Sequence, residues 1–373
     1  MDSPSTREGG DGAMRRAPLA GAFAWTPRDG VDGPAILAAG FGMGVPVLLA
    51  TLLGQTALGL AAAVGGLLVA GAATGHGFGE QVRQLAGTLA AAGGASVLAV
   101  LVAGQGPWTD AALAVLAGMA ALVGGYSRPL ALGTGRGIVF LAILLGIGDL
   151  SRDPARVLAL MAAGALWTAC LALAFGSLFR ALAGRPAAAT PATPTASALQ
   201  KFRRWRRMLR QPEGWQYTLR LTGCLAVAAL LRTTWPDHHF GWIAVTVAIL
   251  CQRQPEALPL RVTQRAVGAA LGVGLAGLVA LPTLPGWLPA GLIALLGGLG
   301  PWLRGRNYLA YTASMTPLII LLFSGGRPAG TGPLVDRLLA TAIGAALVVG
   351  ANALLLRAAP VPPPNNLASR RQG

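Results

Sequence analysis

The chain is divided into apolar runs of about 20 residues, each closed by glycine, proline or arginine. A bilayer core takes about 20 apolar residues per helix, so runs of this length read as membrane spans. Twelve are expected, near 34–53, 56–73, 85–104, 109–126, 132–150 and 155–178, then 217–234, 240–252, 265–282, 287–303, 307–325 and 334–357. Composition agrees: 11% of residues are charged and 54% are hydrophobic, with a mean hydropathy of +0.60. Soluble domains carry about 25% charged residues, and a soluble chain of this length could not cover its surface with fewer than half of them. The expected class is an all-α polytopic membrane helix bundle.

Of the 29 basic residues all but Lys201 are arginine, and the net charge is +16. Assigning loops alternately to two sides puts most of them, with both tails, on one side. The other side holds only Arg152, Arg156, Arg232, Arg327 and Arg337. Basic loops mark the cytoplasmic face, so a membrane protein with both tails and the central linker cytoplasmic is expected. Because the arginines flank apolar runs and are not gathered on a polar domain, nucleic acid is not expected as a partner. Cys170, Cys224 and Cys251 lie in apolar segments without metal spacing, and His238-His239 have no third ligand at such spacing. Neither a cofactor, a metal nor an enzymatic residue set is expected.

Shifting the sequence by 181 positions lays "ARVLALMAAGAL" (155–166) on "DRLLATAIGAAL" (336–347) and "QLAGTLAAAGG" (84–94) on "RAVGAALGVGL" (265–275). Six spans per half is an even number, so both halves start from the same side and the repeat is parallel. The organisation read from this is a tail at 1–33, membrane repeat 1 at 34–180, a linker at 181–215, membrane repeat 2 at 216–357 and a tail at 358–373. In the linker, "KFRRWRRMLR" spaces Phe202, Trp205 and Leu209 as one helical face. Arg203, Arg204, Arg206 and Arg207 surround that face, as in an interfacial helix on anionic lipid. A regulatory docking helix is the other reading of the same residues.

Charge at span edges supplies the candidate site. Arg265 opens a helix whose Gly268, Gly272 and Ala276 recur every four residues, a packing face for close helix contact. "RGRNYLAY" sets Arg304, Arg306, Asn307 and Tyr308 at another span entrance. The guanidinium fork suits carboxylates, so Arg265 and Arg306 read both as substrate contacts and as orientation charge. Arg253 and Arg261 read as orientation charge, and Asp336-Arg337 as a local ion pair at the last span. If protons drive transport, Asp149, Glu80 and Glu256 are the candidate carriers. Gly133, Gly135 and Gly137 in the fifth span and Pro317 in the eleventh suggest two interrupted helices at matching positions.

The second half resembles the fusaric acid resistance family, the aromatic acid exporters, over roughly 217 to 357. The matching positions are Trp242, Thr246, Gln252, Arg265, Gly268, Gly272, Asn307, Tyr308, Thr316, Pro317 and Arg337; Ala269 stands where that family usually has Thr. The resemblance implies export of aromatic or other carboxylic acid anions. Arg265, Arg306, Asn307, Tyr308, Gln252 and Arg337 are the expected substrate contacts, and the resemblance implies a bacterial inner membrane and, in some members, a periplasmic membrane-fusion partner. The large soluble domains of bigger members are missing, so this looks like a compact, membrane-only form. A passive anion channel of the same fold and a non-transporting scaffold remain alternative readings. Membrane lipids and an organic acid are expected partners, and self-association is left open.

Overall fold

A computed structural model describes residues 21–358 except 22, 28–31, 73–76, 147–152, 184–196, 237, 254–257, 281–284, 286 and 324–330. Thirteen α-helices and no strand occur among the described residues. The first six are α1 Gly33–Leu52, α2 Thr56–Val69, α3 Phe78–Val102, α4 Pro107–Gly124, α5 Arg128–Leu145 and α6 Pro154–Ala183. After α7, Ala198–Leu209, come α8 Gln216–Thr234, α9 Gly241–Leu250, α10 Leu258–Ala280, α11 Trp287–Arg304, α12 Tyr308–Phe323 and α13 Thr331–Ala358.

Each expected span holds a helix among its described residues. Six helices are long and apolar enough to cross a membrane by length and composition: α1, α3, α4, α5, α6 and Thr331–Leu355 of α13. α8 and α10 carry Arg220 and Arg232, and Arg261 and Arg265, charges that dilute an apolar window. α2 and α9 are short, 14 and 10 residues. At 1.5 Å per residue α9 is about 15 Å long, half a bilayer core.

The expected interruptions are absent. α5 runs unbroken through Gly133, Gly135 and Gly137, and α12 runs through Pro317. Glycine weakens a helix without removing a hydrogen bond. Proline removes one, and in α12 this happens among buried neighbours, Thr316 and Leu318, that hold the turn. The short helices at matching positions are α2 and α9 instead.

Helices α8–α13 each begin about 180 residues after α1–α6 in turn, and packing follows the same order. In the first half α2 packs on α6, α3 on α5 and α4 on α5; in the second, α9 on α13, α10 on α12 and α11 on α12. Across the halves α1 packs on α11 and α8 on α4, and α5 meets α9 as α12 meets α2. One apolar core joins both halves, with Leu144, Leu221, Ile243, Ile293 and Leu318 wholly enclosed.

Small residues set the closest approaches. A Cβ on Gly268 would lie 2.7 Å from the Leu309 carbonyl oxygen and 2.8 Å from Thr312 Cβ. One on Gly272 would lie 2.6 Å from Thr316 Cβ. These glycines therefore bring α10 and α12 backbone to backbone, which is how membrane helices gain dispersion contact without a hydrophobic driving force.

α7 starts at a capping box made by Ser197 and Gln200. Its exposed face carries Arg203, Arg204, Arg206 and Arg207. The opposite face docks on protein: Trp205 Nε1 donates to the Leu122 carbonyl (3.0 Å), its ring meets Tyr126 edge-on, and Met208 packs over Gly125. Trp205→Ala removes that anchor, and faster tryptic cleavage at the α7 arginines is the expected outcome; unchanged cleavage would mean the dock adds nothing.

Candidate functional site

Polar side chains buried in the second half include several that lack the partners their atoms need. Arg265 on α10 and Arg337 on α13 are 6% and 4% exposed. Arg265 Nε has no hydrogen-bond partner, nor do Nε and Nη1 of Arg337. The Arg337 guanidinium lies 4.0 Å over the ring of Trp242 on α9. One turn further on that short helix sits Thr246, fully enclosed, its Oγ1 unpartnered. Phe323 meets the Trp242 ring edge-on at 5.4 Å. The two guanidinium charges interact, and Arg265 also acts on Tyr311 of α12.

The helices explain the placement. α10 and α13 pack together. Arg265 lies about 10 Å along α10 from Leu258, and Arg337 about 9 Å along α13 from Thr331, at 1.5 Å per residue. The charges of the two cations interact, and the start of α9 sets Trp242 against Arg337. Gly344 lets α13 close onto α9, since a Cβ there would lie 2.8 Å from Thr246 Cβ.

Orphaned buried polar atoms cost about 1–3 kcal/mol each, and more when charged. A buried cation without a counter-ion costs more still. Two guanidinium groups, a hydroxyl and an aromatic wall offer donors to a planar anion. Trp242 already satisfies one face of Arg337, leaving its nitrogens for in-plane hydrogen bonds.

The nearest acid in sequence is taken. Asp336 does not pair with Arg337, as a local ion pair would require. Its Oδ1 lies 2.8 Å from His238 Nδ1 and its Oδ2 2.9 Å from His239 Nδ1, and the His239 backbone N–H also donates to Oδ2. Asp336 faces the connection ahead of α9, while Arg337, a step of 100° around the helix, faces Trp242 of α9. The first-half counterpart Arg156 is exposed, its N–H bonded to Asp153 Oδ1.

The other sequence candidates gather at the arginine-rich end. Asn307 caps α12 through the Ala310 N–H (2.9 Å) and donates to the carbonyls of Phe23 and Ala24. Arg306 stacks on Trp302, and its carbonyl accepts from the Thr26 N–H. Tyr308 lies under Arg261 and beside Tyr311. Gln252 bonds back to the Ile249 carbonyl, and its own carbonyl accepts from Arg220. Arg253 donates to the Ala121 carbonyl (2.6 Å) and covers Tyr217, joining the two halves. Glu80 sits at the start of α3 beside Arg83 and Gln84. Asp149 and Glu256 lie outside the described residues.

Sequence reasoning passed over Arg220, which is buried and bonded to Asn352 Oδ1 at 2.7 Å. It also passed over the pairing of Asp336 with both histidines, whose partners lie nearly 100 positions away. Among the described residues no group of three or more His, Cys, Asp or Glu is placed to hold a metal ion.

Comparison with known proteins meets this geometry in the same half. Residues 223–351 match the family described as fusaric acid resistance protein-like, a range that contains Trp242, Thr246, Arg265, Tyr311 and Arg337. An uncharacterized protein of Haemophilus influenzae is 34% identical over 108 residues, which is 28% of this chain and 15% of that relative. The match therefore spans well under a quarter of the relative's length. No solved structure matches the chain.

Proposed function

Taking as premise that residues 223–351 carry a fusaric acid resistance protein-like domain in a multi-pass membrane protein, we propose that the chain transports organic acid anions, aromatic carboxylates foremost, outward across a bacterial inner membrane. The observation that carries this is the pair Arg265 and Arg337, buried and short of hydrogen-bond acceptors. A carboxylate supplies what they lack: negative charge, and two oxygens that can accept from a guanidinium fork. An aromatic ring attached to it would find Trp242 and Phe323 beside the cations.

Twelve spans in two parallel repeats, with both termini cytoplasmic, fit this reading. Support comes from the constant spacing of helix starts and the exchange of packing partners between halves. The short helices α2 and α9 at corresponding positions support a binding region beside α9, since unusually short spans at matching places of two repeats mark the binding region in transporters of this kind. The arginine-rich end is the cytoplasmic one in this scheme, and Arg306 and Arg261 draw anions toward Arg265.

The test is uptake of a labelled aromatic carboxylate into inside-out vesicles containing the purified protein, with and without an acidic interior. Saturable uptake is expected, exceeding equilibrium only with the gradient if protons are coupled. Equilibration alone makes the protein a channel, and no flux of any carboxylate sinks the proposal.

A further inference from the structure

The end of the bundle opposite the arginine-rich loops holds a cluster that the anion site does not use. The connection from α8 to α9 presents His238 and His239, and both Nδ1 atoms reach one carboxylate, Asp336 of α13, at 2.8 and 2.9 Å on separate oxygens. The His239 backbone N–H adds a third donor at 2.9 Å. Asp336 is 8% exposed at its side chain, while the imidazoles are 46% and 62% exposed, so their outer nitrogens meet solvent. His238 stacks on Phe240 at 4.9 Å, which orients its ring.

We propose that His238, His239 and Asp336 form a proton-binding site that clasps the connection ahead of α9 to α13 and so sets the opening of the anion path by the pH outside. This rests on the transport reading above. The link to the path is direct: Asp336 precedes Arg337, and Trp242, which Arg337 covers, lies three residues after His239. Holding the connection to α13 holds Trp242 on Arg337, and this closes the outer end of the path.

The charges fix the sign. A carboxylate only accepts, so each Nδ1 donates and the titrating position is Nε2, toward solvent. With both imidazoles protonated the contacts are charge-assisted and strong. Loss of the Nε2 protons leaves neutral imidazoles that still donate, more weakly, and leaves the carboxylate charge uncompensated. The clasp is therefore strongest when both imidazoles are protonated and loosens when they lose that proton, a charge change that pH can drive in histidine as a residue type. Other described charges at this end are Arg232 of α8, paired with Asp110 of α4 at 2.9 Å, Arg337, which faces Trp242, and the exposed Asp153 and Arg156 at the start of α6, where the Arg156 backbone N–H donates to Asp153 Oδ1. Arg265 of α10 acts on Arg337 from deeper in the bundle. Asp149, Arg152, Asp237 and Arg327 lie outside the described residues.

Two measurements test it on the full-length protein. The first is hydrogen–deuterium exchange of residues 235–241, corrected for the intrinsic pH dependence of amides, which needs no transport. Protection should rise about tenfold from pH 8 to pH 5.5 in wild type, and lie flat in the His238→Gln/His239→Gln variant; equal protection at both pH values in wild type overturns the clasp. The second is exchange of labelled for unlabelled carboxylate in reconstituted vesicles with the outer-end pH varied. Wild type should slow about tenfold on acidification while the double variant stays fast at both values. Wild-type exchange that ignores pH, or speeds up in acid, overturns the gating role. Absence of any exchange in wild type overturns the transport reading and the gate with it, and leaves the clasp to the first measurement. If the double variant does not insert, the single variants replace it, each expected to flatten part of the pH response; a full wild-type response in both overturns the assignment.

Discussion

Arg337→Ala lowers carboxylate exchange by about 100-fold or more, with the protein inserted at its normal level. The magnitude follows from removing a desolvated cation that an anion must contact, a change of about 2–5 kcal/mol in comparable charged pairs, where 1.4 kcal/mol is tenfold. Arg337→Lys keeps the charge and loses the fork and the flat stack on Trp242, so its expected loss is about tenfold. Arg265→Ala behaves like Arg337→Ala, because the two cations are met in sequence along one path. Exchange rates in reconstituted vesicles, normalised to inserted protein, measure all three. A lysine variant as inactive as the alanine variant would place geometry above charge, and an alanine variant at wild-type rate would remove Arg337 from the path.

Gly268→Leu prevents the bundle from closing. The side chain would have to occupy space held by the Leu309 carbonyl and Thr312, backbone as well as side chain, so no rotamer change relieves it. Overpacking in a well-filled core costs about 1–3 kcal/mol when neighbours can move, and here two helix backbones must separate. The expected result is loss of the monodisperse peak on size-exclusion chromatography and a large fall in thermal midpoint. Gly274→Leu is the matched control, since a Cβ at Gly274 meets nothing within 4 Å, and it should elute and melt as wild type. Equal behaviour of the two variants would contradict the close α10–α12 approach.

The helices were legible because lipid exposure writes itself into hydropathy. Each expected span holds a helix among its described residues, and the errors are informative. α3 and α10 start at Phe78 and Leu258, seven residues ahead of the apolar runs, because their first two turns carry Arg83 and Arg261 and read as loop. Both halves make the same error at the same place. The supposed interruptions in α5 and α12 misjudged how well a helix absorbs glycine, or one buried proline.

The site was legible in part. Arg265 stood out because it opens a glycine-lined helix, a local signal. Arg337 was visible as a counterpart of Arg156, yet the adjacent Asp336 suggested an ion pair that the fold does not make. Only the tertiary arrangement delivers two histidines to that carboxylate from 97 and 98 positions away. Asn307 and Arg306 were read as ligands from their chemistry. In the fold the Asn307 side chain donates to the carbonyls of Phe23 and Ala24, and the Arg306 backbone carbonyl accepts from the Thr26 N–H, contacts nearly 300 positions away that no periodicity encodes. Hydropathy records which faces meet lipid and is silent on which buried polar groups meet one another.

The central claim is that Arg265 and Arg337 form a receptor for an organic anion. Isothermal titration of an aromatic carboxylate into the detergent-purified protein tests it most directly, with the corresponding neutral amide as control and Arg265→Ala/Arg337→Ala as the variant. Saturable binding of the carboxylate to wild type is predicted, with none for the amide and none to the variant. Equal binding of carboxylate and amide, or undiminished binding to the variant, would contradict it.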